Sequence, residues 1–171
     1  NKRANEKISN YGITNATIIE GSAESIPFGD NSLDFIVSNL GINNFEDPAI
    51  VFGECFRVLK PGGHFSISDV VLDGALPEGL RRDAEMYAGC VSGAIQKTVY
   101  LELIKANGFE NITIQKEKPI VIPDDILMNY LNAEQIQSFK TGNTGIFSIT
   151  VFAQKPLSEK SSTCTPGSGC C

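Results

Sequence analysis

The strongest constraint on the fold is a pair of short apolar runs, Leu33-Asp34-Phe35-Ile36-Val37 and Phe65 to Val71, with a helical pattern between them. Both runs are rich in branched or aromatic side chains and lead into small polar residues, which predicts strands covered on both faces in a parallel sheet. Between them, Asp47-Pro48 reads as an N-cap followed by proline at the first helical position. Ile50, Val51, Glu54, Cys55 and Val58 recur at helical spacing, and Pro61-Gly62-Gly63 is the expected stop. Strand, helix, strand in that order makes a right-handed crossover. In an open sheet of this kind, ligands sit beyond the carboxyl ends of the strands, so Ser38-Asn39-Leu40-Gly41 and Ser68-Asp69 are the positions chemistry would use.

A chain of 171 residues with 42% hydrophobic content supports one domain with a sizeable core. Its net charge of −6 and lack of a basic stripe argue against a nucleic-acid footprint, which needs clustered lysine and arginine. No apolar run is long enough to span a bilayer, so no membrane partner is expected. The single histidine, His64, beside a proline-glycine turn, reads as an exposed residue at a strand start. Histidine-based metal sites and Ser-His-Asp catalysis need more than that. The sequence starts at Asn1 in mid-helix style, as a fragment would.

Taken in order, Asn1 to Ser9 fit an exposed helix end, with Tyr11-Gly12 as its C-cap turn. Asn15 to Glu20 is the next expected strand, and Gly21-Ser22-Ala23-Glu24 after it lets backbone approach a flat ligand. By itself that segment reads more readily as an ordinary strand-to-loop turn. Phe28 is expected in the core. Beyond Asp73-Gly74, Leu80, Ala84 and Tyr87 share one side of a short helix. Cys90, flanked by Gly89 and Gly93, suits either a buried structural thiol or a ligand-facing one, and spacing alone favours burial. Thr98 is the expected cap of a helix with Tyr100, Leu101, Leu103 and Ile104 inward, ended by Asn107-Gly108. Phe109 to Ile114 and Gly145 to Phe152 alternate as strands able to pair antiparallel at the sheet edge. Pro123-Asp124-Asp125 opens a helix with Ile126, Leu127, Tyr130 and Leu131 inward. The expected division is a partial domain over 1–155 and a disordered, cysteine-containing tail over 156–171.

Read together, Gly21-Ser22-Ala23-Glu24-Ser25-Ile26-Pro27-Phe28, Asp34-Phe35-Ile36-Val37-Ser38-Asn39 and Arg57-Val58-Leu59-Lys60-Pro61-Gly62-Gly63 resemble the later motifs of class I S-adenosylmethionine-dependent methyltransferases. Within that superfamily, Ser66 to Leu72, Leu76-Pro77 and Tyr87-Ala88-Gly89-Cys90-Val91-Ser92-Gly93-Ala94 resemble arsenite methyltransferases. The resemblance implies an α/β, doubly wound, mostly parallel, Rossmann-like sheet with antiparallel edge strands at the C-terminus. It also implies methyl transfer from S-adenosyl-L-methionine to trivalent arsenic. Carried over by position, Ser22, Ala23 and Glu24 border the adenine, Ser38 and Asn39 line the methyl-donor cleft, and Cys90 matches an arsenic-binding cysteine. The family's glycine-rich loop, its ribose-binding acidic residue and its N-terminal cysteines would lie before Asn1. Where the family commonly has cysteine after Ser-Asn, this chain has Leu40. The family's first two strands are central in its sheet, so the strand expected at Thr17 to Glu20 has no neighbour here. The 171-residue chain alone is therefore expected to be inactive.

Methyl transfer is an in-line displacement, in which protein aligns donor and acceptor and excludes water. Trivalent arsenic carries its own lone pair and needs soft thiolate ligands rather than a general base. Cys90 is the internal candidate, and Cys164, Cys170 and Cys171 of the tail are candidate ligands for arsenic or another soft metalloid. Adjacent alpha carbons lie about 3.8 Å apart, against roughly 4.4 to 6.8 Å across a disulfide, so Cys170-Cys171 suits chelation better than a bridge. The tail cysteines equally fit an unstructured end without a role. Five cysteines without framework spacing fit a reducing, cytoplasmic compartment. The expected partners are a small-molecule or metalloid substrate and a thiol reductant. Two other functions compete: methylation of a small organic acceptor, with Leu40 lining an apolar pocket, and non-catalytic sequestration of soft metals by tail thiols.

Overall fold

The structure, a computed structural model, describes residues 2–76, 80, 93–141 and 145–157. Among these, four strands form one sheet in the order β1 (Leu33–Asn39), β2 (Leu59–Asp73), β4 (Gly145–Gln154), β3 (Glu110–Pro119). β1 and β2 are parallel, with Phe35 beside His64 and Asn39 beside Ser68. The crossover between them is helix α2 (Pro48–Val58), where Asp47 Oδ1 accepts from the Ala49 amide at 2.9 Å. The expected cap and the expected proline are both in place. β4 runs antiparallel between β2 and β3, so the two late strands do pair antiparallel at one edge.

Strand periodicity divides the sheet residues between two cores. Phe65, Ile67 and Val71 of β2 and Ile149, Val151 and Ala153 of β4 share one face with Val51, Phe52 and Cys55 of α2. Helix α3 (Lys97–Ala106) adds Tyr100 and Ile104 to that layer, and Tyr100 meets Phe52 edge-on at 5.3 Å. On the other face Val70, Leu72 and Ile146 pack with Leu80, Ala94, Ile122 and Leu127. Leu127 ends the short α4 (Asp124–Leu127); α5 (Ala133–Thr141), which had no counterpart in the sequence reading, closes this end with Ile136 and Phe139.

Several expectations are corrected. Thr17 to Glu20 forms no strand, and Ile18 and Ile19 are exposed, because among the described residues no strand lies beside them to share hydrogen bonds. β1 is not covered on both faces: Phe35 is 62% and Val37 68% exposed, on the face opposite α2. Phe28 is 40% exposed, and Ile26 packs against the core in its place. Helix α2 ends at Val58, before Pro61-Gly62-Gly63, and those three residues belong to β2. Its inward set includes the fully buried Phe52, whereas Ile50 faces water. The N-cap position of α3 is held by Gln96, whose side chain makes no cap hydrogen bond, and not by Thr98. Helix α1 (Lys2–Asn10) and its C-terminal turn, with Gly12 at φ +62°, stand as expected. His64 is exposed and stacks on Phe35.

Candidate functional site

The carboxyl end of β1 runs into a tightly held turn. The ladder with β2 fixes Ser38 beside Ile67 and Asn39 beside Ser68, and the Leu40 amide donates to the Ser68 carbonyl at 2.8 Å. Leu40 then takes φ +54°, a left-handed conformation that a branched side chain enters only when its surroundings impose it. Its side chain is 38% exposed at the rim. A Cβ at Gly41 would lie 2.7 Å from Ser38 Oγ, so any larger residue there has to turn the Ser38 hydroxyl aside. Asn44 Nδ2 closes the turn by donating to the Leu40 carbonyl at 2.8 Å.

Beneath this turn lies Asp69 of β2, 2% exposed. Its Oδ2 accepts from the amides of Ile42 and Asn43, both at 3.2 Å, and is 3.5 Å from the Tyr100 hydroxyl. Its Oδ1 accepts from the Val70 amide at 3.0 Å. Burial pushes the Asp69 carboxyl above the ordinary carboxylate range, and the three amides and the hydroxyl oppose that shift. Burial, with the Asp69 charge second, also raises the Tyr100 hydroxyl. Asp69, expected among the ligand-facing positions, is therefore turned inward as a clamp. Asn43 Nδ2 donates to the Val70 carbonyl, while Asn43 Oδ1 is buried without a partner among the described residues.

Gly93 reaches the same turn from the other side. A Cβ on Gly93 would overlap the carbonyl oxygen of Asn43, so only glycine fits there. The strip behind it is anchored to β2, with the Leu72 amide donating to the Ile95 carbonyl at 2.9 Å.

The second expected element, Ser22-Ala23-Glu24, is a turn in which the Glu24 amide donates to Ser22 Oγ at 3.2 Å. Ser22 and Glu24 are exposed, and Ala23 is half-buried against the core. It is tied to α2: Glu54 Oε2 accepts from the Ile26 amide at 2.8 Å. Arg57 grips Glu54 through two nitrogens, at 2.7 and 2.8 Å, and also donates to Asp30 and to the carbonyls of Ile26 and Phe28. The Arg57 hydrogen bond holds the Glu54 carboxyl below its usual range.

Cys90, Cys164, Cys170 and Cys171 lie outside the described residues, as do Ala84, Tyr87 and all of the expected tail except Pro156 and Leu157. Cys55 is a free thiol in the core, and burial pushes it up to about 12, which leaves it inert as a thiolate ligand. No group of three or more metal-ligating side chains occurs among the described residues. None of their helices is long and apolar enough to cross a membrane.

A family profile described as a methyltransferase domain matches residues 2–108, more than half of the chain. The chain belongs to the methyltransferase-domain family. This methyltransferase domain is 34% identical over 131 residues to the arsenite methyltransferase of Aquipseudomonas alcaligenes, a match covering 75% of the chain and 38% of that protein. A demethylmenaquinone methyltransferase of Listeria monocytogenes is 38% identical over 68 residues, covering 40% of the chain and 29% of that protein. Among solved structures, the arsenic (III) S-adenosylmethionine methyltransferase of Chlamydomonas reinhardtii superposes with a TM-score of 0.64 at 29% identity. That superposition covers 82% of this chain and 44% of that one. The methyltransferase domain thus spans less than half the length of these relatives, and its sheet is a class I, Rossmann-like one.

Proposed function

We propose that this chain is part of an S-adenosylmethionine-dependent methyltransferase whose acceptor is trivalent arsenic. The observation that carries the reading is the contact between Gly93 and Asn43. Gly93 is three positions beyond Cys90 in sequence, and Asn43 belongs to the turn that follows Ser38-Asn39, so this contact supports a reading in which Cys90 serves the same rim. The likeness to arsenite methyltransferases points the same way.

The residues present fit part of the cofactor. Ser22 and Ala23 offer small side chains on an exposed turn, which leaves room for a flat ring, and Ser38 and Asn39 end β1 where the switch to α2 opens the rim. When bound, S-adenosylmethionine supplies an electrophilic methyl group on sulfur. Cys90, assisted by Cys164, Cys170 and Cys171, would hold arsenic as thiolate ligands and leave its lone pair free to attack. The chain's thiols would thus present the acceptor to that methyl group, and a thiol reductant would be needed to return arsenic, oxidised by two electrons on methylation, to the trivalent state.

The test uses the full-length enzyme with labelled donor, arsenite and thiol. Methylated arsenic is the expected product, and Cys90→Ser is expected to abolish it while cofactor still binds. Label entering only an organic product would overturn the arsenic assignment. That outcome is the second reading, a small organic acceptor, and Leu40 favours it: an apolar side chain stands at the rim. The likeness to demethylmenaquinone methyltransferases adds weight to it.

A further inference from the structure

The Asp69 carboxylate accepts two hydrogen bonds from the turn beyond β1 and one from its own strand. Two successive amides, of Ile42 and Asn43, converge on one oxygen at 3.2 Å each, inside a pocket closed by Tyr100 from α3. Ser38 and Asn39 do not depend on this carboxylate, because the β1–β2 ladder holds them. Ile42 and Asn43 do, through their amides. In the same turn Leu40 is left-handed and the carbonyl of Asn43 lies where a side chain on Gly93 would stand. Without a fixed anchor such a turn relaxes toward ordinary backbone angles. The two halves of the rim are thus held by different means: hydrogen bonds of the sheet hold Ser38 and Asn39, and side chains, the buried Asp69 carboxylate first among them, tie the turn beyond to β2.

From this division of labour we infer that Asp69 is a positioning residue for methyl transfer, fixing the Leu40–Asn44 turn so that the acceptor meets a donor already placed by the sheet. The inference rests on the methyl-transfer reading above and not on which acceptor is used. Asp69 touches neither donor nor acceptor; it acts through the amides of Ile42 and Asn43.

The experiment compares full-length wild type, Asp69→Asn and Asn43→Ala. Asn43→Ala removes another tie of the same turn to β2, its bond to the Val70 carbonyl, and serves if Asp69→Asn does not fold. Cofactor affinity is read by calorimetry with S-adenosylhomocysteine, turnover by label transfer to arsenite or to the organic acceptor, and turn order by amide hydrogen exchange. Both variants are expected to keep cofactor affinity within about threefold, lose at least about tenfold in kcat, and exchange faster at Ile42 and Asn43 but not at Ser38 or Asn39. A purely structural role would instead weaken cofactor binding and turnover together, and that result overturns the inference. So does faster exchange at the turn with unchanged kcat. If wild type ignores arsenite but methylates an organic acceptor, the arsenic assignment fails and the kcat split is read on that acceptor. If wild type transfers methyl to neither, both readings fall.

Discussion

Gly93 and the carbonyl oxygen of Asn43 are in contact so close that no side chain fits between them. This joins the strip leading into α3 to the turn after β1, two segments fifty residues apart in sequence. Gly93→Ala in the full-length protein is expected to cost about 1–3 kcal/mol, since backbone rather than a flexible side chain must give way. Urea unfolding measures the cost, and an unchanged midpoint would show that the strip moves freely.

Lys155 holds the opposite end of the sheet. Its Nζ donates to Asn31 Oδ1, and to the carbonyls of Phe56 and Leu59 where α2 ends, at 2.7, 2.7 and 2.9 Å. A cation at a helix C-terminus also meets the negative end of the dipole, and here it lies 4.6 Å from the Phe56 ring centre. Lys155→Met keeps the stem but leaves three oxygens without this donor, and a loss of about 3 kcal/mol is expected by denaturant titration.

Arg57 is the pin of the Ser22–Asp30 loop. Lysine cannot reproduce a planar fork that serves two carboxylates and two carbonyls at once. Arg57→Lys is therefore expected to weaken cofactor binding several-fold in calorimetry with little change in kcat, the reverse of the pattern expected for Asp69→Asn.

The buried Asp69 carboxyl titrates above its unfolded value. The folded state then binds more protons than the unfolded state in the window between the unfolded value, near 3.8, and the raised folded one. Its contribution to stability is fully present below that unfolded value and is lost as pH rises through the folded one. In full-length protein, Asp69→Asn should remove this downward slope from a stability profile measured from pH about 4 to 8. A profile parallel to wild type would contradict it.

Much of this was legible beforehand because it is local. The Asp47-Pro48 cap, the late antiparallel strands and the glycine turns at Gly12 and Gly108 depend on neighbours within a few positions, and they stand as read. What escaped depends on partners far along the chain. Asp69 was marked for its place at a strand end, but its inward direction required Ile42, Asn43 and Tyr100, and nothing in the Ser-Asp pair signals that. Glu54 and Arg57 carried a faint signal, their three-residue spacing on one helical face, without revealing that they clamp Ile26 and Asp30. Phe28 and the stretch at Thr17 to Glu20 misled for a related reason. Apolar character predicts burial only where a covering element exists, and Phe28, Ile18 and Ile19 remain open.

For the 171-residue chain by itself, the same logic predicts no sharp two-state melt and no micromolar affinity for S-adenosylmethionine. Circular dichroism during heating and calorimetry decide both points, and a cooperative transition with tight binding would show that these residues suffice.

The uncovered side of β1 has a practical consequence. With no strand beyond its outer edge among the described residues, β1 offers an edge flanked by the exposed Phe35 and Val37, a template on which another copy can lay down a matching strand. Purified alone, this polypeptide should precipitate in a concentration-dependent way, and a lysine placed at Val37 should keep it in solution.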